Sequence, residues 1–179
     1  MLLMPNKEWQ WVYNDSYNVL SISLGDEMEF LTPYTPKVLI PDALASLTFS
    51  VEHAKFYIQV LDRLSRALSC DDAYIVQMAL NATAAHFLLK PEMPKSWYFS
   101  VSDFCVFSET GKLFHLQTRN DQVTVLVIES GFQASLVMLL SESCLLSDKK
   151  TLKQFETIKV MHDRLIPLLI REQVQVVAA

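Results

Sequence analysis

Two prolines close together, Pro91 and Pro94, interrupt the middle of the chain. A proline fixes its own φ, donates no backbone hydrogen bond and disfavours helical backbone in the residue before it. A helix that enters this segment therefore has to end at Lys90. We predict a stiff connector, with Lys90 and Lys95 on either side of an elbow and Trp97 opening the next element. Two interpretations are open: an inter-domain linker with solvated lysines, or a preorganised cationic patch for an acidic partner.

The composition predicts a cytoplasmic protein that is not inserted in a membrane. The chain has 179 residues, which fits one large domain or two small ones. No apolar run approaches the ~18 residues of a membrane span, and the first residues lack the pattern of a secretion signal. Three scattered cysteines predict neither a disulfide framework nor a zinc site. The net charge of −5 argues against nucleic acid as the main ligand.

The first ninety residues carry strand signals followed by helix signals. Residues 9–13 place three aromatic side chains on one face of an extended segment, and residues 19–24 alternate again. Gly25 marks a turn before a third apolar run, so a hairpin or three-stranded meander is expected. Ser50 is the predicted N-cap of a first helix, and the second ends before Pro91. We predict a short sheet covered by a helical pair, residues 1–90.

The rest of the chain carries mainly strand signals. Turn signals separate short β-type runs, which predicts a curled antiparallel, barrel-like domain. Thr151 and Gln154 fit a capping box that predicts a helix through about Leu165. The tail 171–177 is compatible with a final strand or with a loose end. The β-type runs are residues 97–107, 113–117, 123–130, 134–140 and 144–146. The predicted fold class is therefore α+β, with a C-terminal β-barrel-like domain and final helix in residues 91–179.

No constellation of residues predicts an enzyme. His53 and His86 lie on separate predicted helices, with no carboxylate or cysteine at ligand spacing. With only three glycines, the chain has too few to form a glycine-rich phosphate-binding loop. Cys70 begins a helix, but Asp71 and Asp72 beside it oppose thiolate formation. We predict no catalytic residue, no metal and no cofactor.

A cluster of lysines precedes and enters the predicted last helix. Lys149, Lys150 and Lys153 stand at its start, where the helix dipole makes cations slightly unfavourable. A solvated face and a functional patch are both open for them.

Several motifs resemble the ZapC family of cell division proteins. They occur in the family's order and spacing across nearly the whole chain, and the central block is the most specific. The match is weak in residues 101–121 and after Leu168. The motifs are Trp9-x-Trp11-x-Tyr13, Pro41-Asp42-Ala43, Leu80-Asn81-Ala82, Leu89-Lys90-Pro91-x-Met93-Pro94-Lys95-Ser96-Trp97, Glu129-Ser130-Gly131 and Ile158-Lys159-Val160-Met161-x-Asp163-Arg164-Leu165-x-Pro167.

The resemblance implies a non-enzymatic cytoplasmic protein of the bacterial division ring that binds FtsZ. Members of this family promote lateral association of FtsZ protofilaments and lower FtsZ GTPase turnover. They have an N-terminal α/β domain and a C-terminal β-barrel-like domain with a helix. The implied partner is therefore the FtsZ polymer at mid-cell, without a cofactor.

The motifs also suggest candidate contact residues. Lys90 and Lys95 match the central motif, Arg164 matches the last one, and Leu24 is an apolar candidate in the N-terminal domain. A monomer with two contact surfaces is favoured, and a self-associating dimer stays open. The alternative function is an adaptor that binds another protein through a groove between the domains.

Overall fold

The computed structural model describes residues 2–168 and shows a mixed α+β fold, which confirms the predicted class. The N-terminal sheet has the strand order β3-β2-β1-β4. Its strands are antiparallel neighbours, as the predicted meander requires. The four strands are β1 (Gln10–Asn14), β2 (Val19–Ser23), β3 (Glu29–Leu31) and β4 (Leu47–Thr48).

Two helices cover this sheet, α1 (Val51–Ala67) and α2 (Asp72–Leu88). The predicted N-cap of α1 is confirmed: the Ser50 hydroxyl accepts the His53 backbone N–H, and His53 Nδ1 accepts the Ser50 N–H. The inward stripe of α1 packs on the sheet, where Tyr57 meets the ring of Trp9 edge to face. Local capping and a 3.6-residue apolar period are sufficient to define this helix.

Helix α2 is apolar around most of its circumference because it is covered on more than one side. It contacts α1 and also the sheet of the C-terminal half. A helix that is hydrophobic all round is typical of a buried position. It ends at Leu88, just before the proline-rich connector, as predicted.

The C-terminal half contains an open five-stranded sheet and a separate hairpin. The larger sheet has the order β10-β7-β6-β5-β11, and β8 pairs with β9. None of the sheets closes within residues 2–168, so the barrel-like expectation is replaced by an open sheet. The strands are β5 (Leu113–Gln117), β6 (Gln122–Ser130), β7 (Ala134–Leu139), β8 (Ser143–Ser147), β9 (Lys150–Lys153), β10 (Thr157–Met161) and β11 (Ile166–Pro167).

The larger sheet is buried on both faces, which joins the two halves of the chain. On β6, Leu126 and Ile128 pack with the helices in one core, whereas Val125 and Val127 pack in a second core with Leu152 of the β8-β9 hairpin. This double burial explains the continuous apolar run in β6. The division into domains at residue 90 stays a prediction, since the first core draws on both sides of it.

The predicted helix over residues 151–165 is wrong. Strand β9, a turn and strand β10 occupy this segment, followed by a short 3-10 helix, His162–Arg164. Strand β10 alternates with Ile158 and Val160 buried, which is a two-residue period. Phe155 adopts a left-handed φ of 67° at the turn, which a helix cannot accommodate.

The predicted strand over residues 97–107 is also wrong. A 3-10 helix, Ser96–Tyr98, begins this segment, and no strand follows before β5. Trp97, Phe104 and Phe107 are exposed, so these apolar residues do not face the core that a strand would need. The tail 171–177 lies outside the described residues.

Candidate partner-binding site

The proline-rich connector is held on its N-terminal side by residues 38–40. The Ile40 backbone N–H donates to the Leu88 carbonyl at 2.9 Å, and the Lys90 N–H donates to the Val38 carbonyl at 2.8 Å. Leu39 and Leu89 form an antiparallel bridge between these two bonds. The chain that leaves α2 therefore continues as an extended segment with a fixed direction.

The connector is held on its other side by strand β10, which lies at the edge of the five-stranded sheet. Pro94 forms a parallel bridge with Lys159, and the Lys95 N–H donates to the Lys159 carbonyl at 2.8 Å. The Ser96 hydroxyl accepts the Met161 N–H at 2.8 Å. The connector thus covers the sheet edge, at a position where Pro94 has no N–H to leave unpaired.

A cavity of about 390 Å³ opens between the connector, the N-terminal half and the β8-β9 hairpin. A neighbouring cavity of about 220 Å³ shares the stretch around Val38 and Leu89 with it. Much of the lining of the larger cavity is apolar, and we call these apolar residues the floor. They are Pro33, Val38, Leu89, Leu146, Leu152 and Ile158.

Charged side chains also line the two cavities. Lys37, Lys95 and Lys150 line the larger cavity, and Lys90 lines the smaller one. We call these four lysines the cavity rim. Glu92 and Glu156 also line the larger cavity, so four cations face two anions in a chain whose net charge is −5. The local charge is opposite in sign to that of the whole protein.

Glu92 lies half-buried among the rim lysines. Its Oε2 accepts a hydrogen bond from the Thr157 hydroxyl at 2.9 Å. Burial raises the pKa of Glu92 above its ordinary value. That hydrogen bond and the nearby charges of Lys95 and Lys150 act in the opposite direction. The carboxylate is therefore held among cations at some desolvation cost.

Tyr34 forms a buried wall of the larger cavity. Its O–H donates to the Phe155 carbonyl at 2.7 Å. Burial raises the pKa of Tyr34 far above its ordinary value, so it remains a neutral donor. The bond supports the turn at which Phe155 is left-handed, and this turn connects β9, which carries Lys150, to β10.

Two of the predicted contact residues, Lys90 and Lys95, belong to the cavity rim. Lys90 is exposed, and its ammonium group donates to the Lys37 carbonyl at 3.2 Å. Lys95 is half-buried beside Glu92 in the larger cavity. The structure therefore brings these two lysines to adjoining cavities, although their role as contacts stays a prediction.

Arg164 has a different environment. Its Nε donates to the Ser96 carbonyl at 3.2 Å and to the Phe99 carbonyl at 3.1 Å. Its Nη1 lies 2.7 Å from Asp163 Oδ1, and the side chain is only 19% exposed. We call Arg164 with these partners the arginine clasp. It fastens the 3-10 helix after the connector to the one after β10.

Leu24 lies in the first core and is 8% exposed. It follows β2, whose Leu20 and Ile22 are also buried. Most of the Leu24 side chain is therefore buried in the core, and its role as a partner contact stays a prediction.

The sequence alone did not single out Lys37 or Glu92 as candidates. For Lys150 it left open both a solvated face and a functional patch. Lys37 and Lys150 are far apart in the chain, so no local pattern could place them around one cavity. Glu92 lies inside the central motif, where a carboxylate between two prolines and two lysines was the available signal.

Two further candidates for chemistry are the Cys70 thiol and a metal-binding cluster. Burial, with the charges of Asp71 and Asp72, raises the pKa of the Cys70 thiol. Among residues 2–168 there is no group of three acidic, histidine or cysteine side chains that could hold a metal ion. Neither α1 nor α2 has the length and apolar character needed to cross a bilayer.

The fold and the cavity define a mixed α+β protein with a charged, partly apolar cleft between its two halves. Comparisons with known proteins place it in a family. The model "Cell-division protein ZapC, N-terminal" matches residues 2–90, and "Cell-division protein ZapC, C-terminal" matches residues 91–171. The chain belongs to the ZapC family of cell-division proteins, which confirms the resemblance seen in its motifs.

Similar proteins named "Cell division protein ZapC" cover the chain from end to end. The one from Shewanella woodyi is 65% identical over 94% of this chain and 93% of the relative. The one from Shewanella oneidensis is 60% identical over 100% of both chains. The one from Ferrimonas balearica is 44% identical, again over 100% of both.

Proposed function

We propose that this protein is a non-enzymatic, cytoplasmic division factor that binds FtsZ polymers at mid-cell. It joins the polymers side by side, stabilises them and lowers their GTPase turnover. Membership of the ZapC family and the motif residues Lys90 and Lys95 support this function. The single structural observation that carries it is the cationic rim on a protein of negative net charge.

The physical basis is charge neutralisation between acidic filaments. Protofilaments of one charge sign repel each other side by side, and a small protein that offers cations to both offsets this repulsion. A connector held by hydrogen bonds on both sides presents its lysines with little backbone ordering entropy left to lose. Arg164 and the weaker apolar candidate Leu24 are proposed as further contacts with the polymer.

The first experiment replaces Lys90 or Lys95 by glutamate. We expect Lys90→Glu and Lys95→Glu to abolish co-sedimentation with FtsZ polymers, because each replaces an attractive charge by a repulsive one. Thermal melting should change little, since Lys90 is exposed and Lys95 is only half-buried. Lys55→Glu, on the exposed face of α1, is the control with the same charge change and should co-sediment normally. Undiminished co-sedimentation of both rim variants would contradict the proposal.

Added salt gives an independent measure in the same assay. Binding through exposed lysines weakens as ionic strength rises, because the Debye length falls to about 8 Å at physiological salt. A flat salt response would instead indicate apolar contacts. Light scattering at the working concentration distinguishes a bridging monomer from a self-associating dimer.

The alternative function is an adaptor that binds another protein through the groove between the two halves. The apolar floor of the larger cavity favours this candidate. Pull-down from a lysate that lacks FtsZ distinguishes the adaptor function from the FtsZ-binding function. Specific capture of one other protein through the groove would support the adaptor.

A further inference from the structure

The larger cavity combines three features that a peptide-binding site requires. Its volume of about 390 Å³ accommodates apolar side chains, and its floor is lined by residues such as Val38, Leu146 and Ile158. Lys37, Lys95 and Lys150 also line it. Lys150 is further oriented because its ammonium group lies over the ring of Tyr98, 5.7 Å from the centroid.

The charges select a carboxylate rather than a phosphate as the ligand group. Glu92 and Glu156 line the same cavity as Lys37, Lys95 and Lys150, so a dianion would meet two negative charges. The backbone N–H of Lys153 already donates to Glu156 at 3.0 Å, which holds that carboxylate at the turn after β9. A singly charged carboxylate next to an apolar side chain fits lysines above an apolar floor.

Glu92 already places a carboxylate among these cations. Its Oε2 is fixed by the Thr157 hydroxyl, and its backbone belongs to the connector clamped on β10. The positive charges of Lys95 and Lys150 act on it. An incoming carboxylate would seek these same two cations and would be repelled by Glu92.

We propose that the cavity binds an extended acidic peptide segment, with an apolar side chain on the floor and a carboxylate at Lys95 and Lys150. Glu92 is the internal competitor for these lysines and limits the affinity of the site. This inference rests on the proposed function, because Lys95 takes part both in the proposed FtsZ contact and in the peptide site. It adds Lys150 and Glu92 as residues that determine which ligand chemistry the site accepts.

The test measures binding of a fluorescent synthetic peptide that alternates aspartate and leucine, by fluorescence anisotropy at low salt. We expect Glu92→Gln to tighten binding about 3- to 5-fold, because it removes a like charge and retains a hydrogen-bond acceptor for Thr157. Lys150→Gln should weaken binding by a similar factor, about 3- to 5-fold. Lys149→Gln is the matched control: it removes the same charge one residue away, from a side chain that does not line the cavity.

Four outcomes would overturn the inference. The first is unchanged or weaker binding in Glu92→Gln, and the second is equal losses in Lys149→Gln and Lys150→Gln. The third is equal binding of an analogue with asparagine in place of aspartate. Competition by inorganic phosphate as effective as that by the unlabelled peptide would also contradict it, since it would indicate a general anion site.

The outcome is distinguishable from that of the proposed function. Peptide binding with the expected variant pattern but no co-sedimentation with FtsZ supports the acidic-peptide site and rejects FtsZ as its source. Co-sedimentation that depends on Lys90 but ignores Glu92→Gln and Lys150→Gln, without peptide binding, rejects the inference and retains the proposed function.

Discussion

The arginine clasp and the cavity rim both place cations beside the same connector, but they use them differently. In the clasp, the Nε of Arg164 donates to two backbone carbonyls and its Nη1 pairs with Asp163, so two of its three nitrogens have partners inside the protein. In the rim, hydrogen bonds hold the backbones of Lys90 and Lys95. The Lys90 side chain lies at the surface, and the Lys95 side chain lies in the larger cavity. Equal formal charge therefore goes with internal hydrogen bonds for Arg164 and with a more accessible ammonium group for Lys90.

This difference changes how a loss of binding in an Arg164 variant should be interpreted. The guanidinium fastens the segment that directly follows Lys95, because its acceptors are the carbonyls of Ser96 and Phe99. Removing it would disturb the connector as well as the charge. A rim variant changes the charge and leaves the backbone hydrogen bonds in place.

The largest effect on stability is expected for Arg164→Ala. It removes donors from two carbonyls in a largely buried place, which costs about 2 to 3 kcal/mol and lowers Tm by roughly 4 to 10 °C. Differential scanning calorimetry measures this, with exposed Arg119→Ala as the control for lost positive charge. If Arg164→Ala kept the wild-type Tm but lost FtsZ binding, the contrast between the clasp and the rim would be wrong, since Arg164 would then act as a direct contact.

A smaller effect is expected for Tyr34→Phe in the wall of the cavity. The ring remains, but the Phe155 carbonyl loses its buried donor, so stability should fall by about 1 to 2 kcal/mol. Chemical denaturation measures the change. Tyr17→Phe serves as the control because the Tyr17 side chain is 68% exposed. An unchanged unfolding midpoint for Tyr34→Phe would show that the turn does not depend on this bond.

The smallest effect is expected for Glu92→Gln as a function of pH. Its folded pKa is raised by burial, so the native state binds its proton more tightly than the unfolded state does. This tighter proton binding contributes to the stability of the folded protein. The contribution is fully present below the unfolded pKa of Glu92, near 4.3, and is lost as pH rises through the folded pKa. Wild-type protein therefore bears the penalty at neutral pH, where Glu92→Gln should melt higher by at most about 2 °C.

Thermal melts of both proteins at pH 7 and near pH 4 measure this difference. The advantage of Glu92→Gln should shrink in acid, where wild-type Glu92 is also neutral. A lower Tm for Glu92→Gln at pH 7 would show that the rim lysines stabilise the ionised carboxylate more than burial opposes it. The rim would then resemble the clasp in using its cations for stability.

The successful sequence predictions concern features with a local cause. Ser50 caps α1 with its own hydroxyl, and the alternation before Gly25 produces the β1-β2 hairpin. The failure over residues 151–165 also has a local cause, because the capping-box spacing of Thr151 and Gln154 was favoured over the two-residue period of β10. The motif lysines were found through resemblance, whereas Lys37 and Glu92 were not selected.

The sequence by itself determined the N-cap of α1, the end of α2 before Pro91, the strand-rich second half and the family. Each depends on neighbouring residues or on motifs that can be compared directly. Only the tertiary structure decided that the connector covers the edge of β10 and that Lys150 meets Lys95 and Glu92 around one cavity. Pairing between distant segments is selected by the packing of the whole core, so the charges that surround the cavity become neighbours only when the chain is folded.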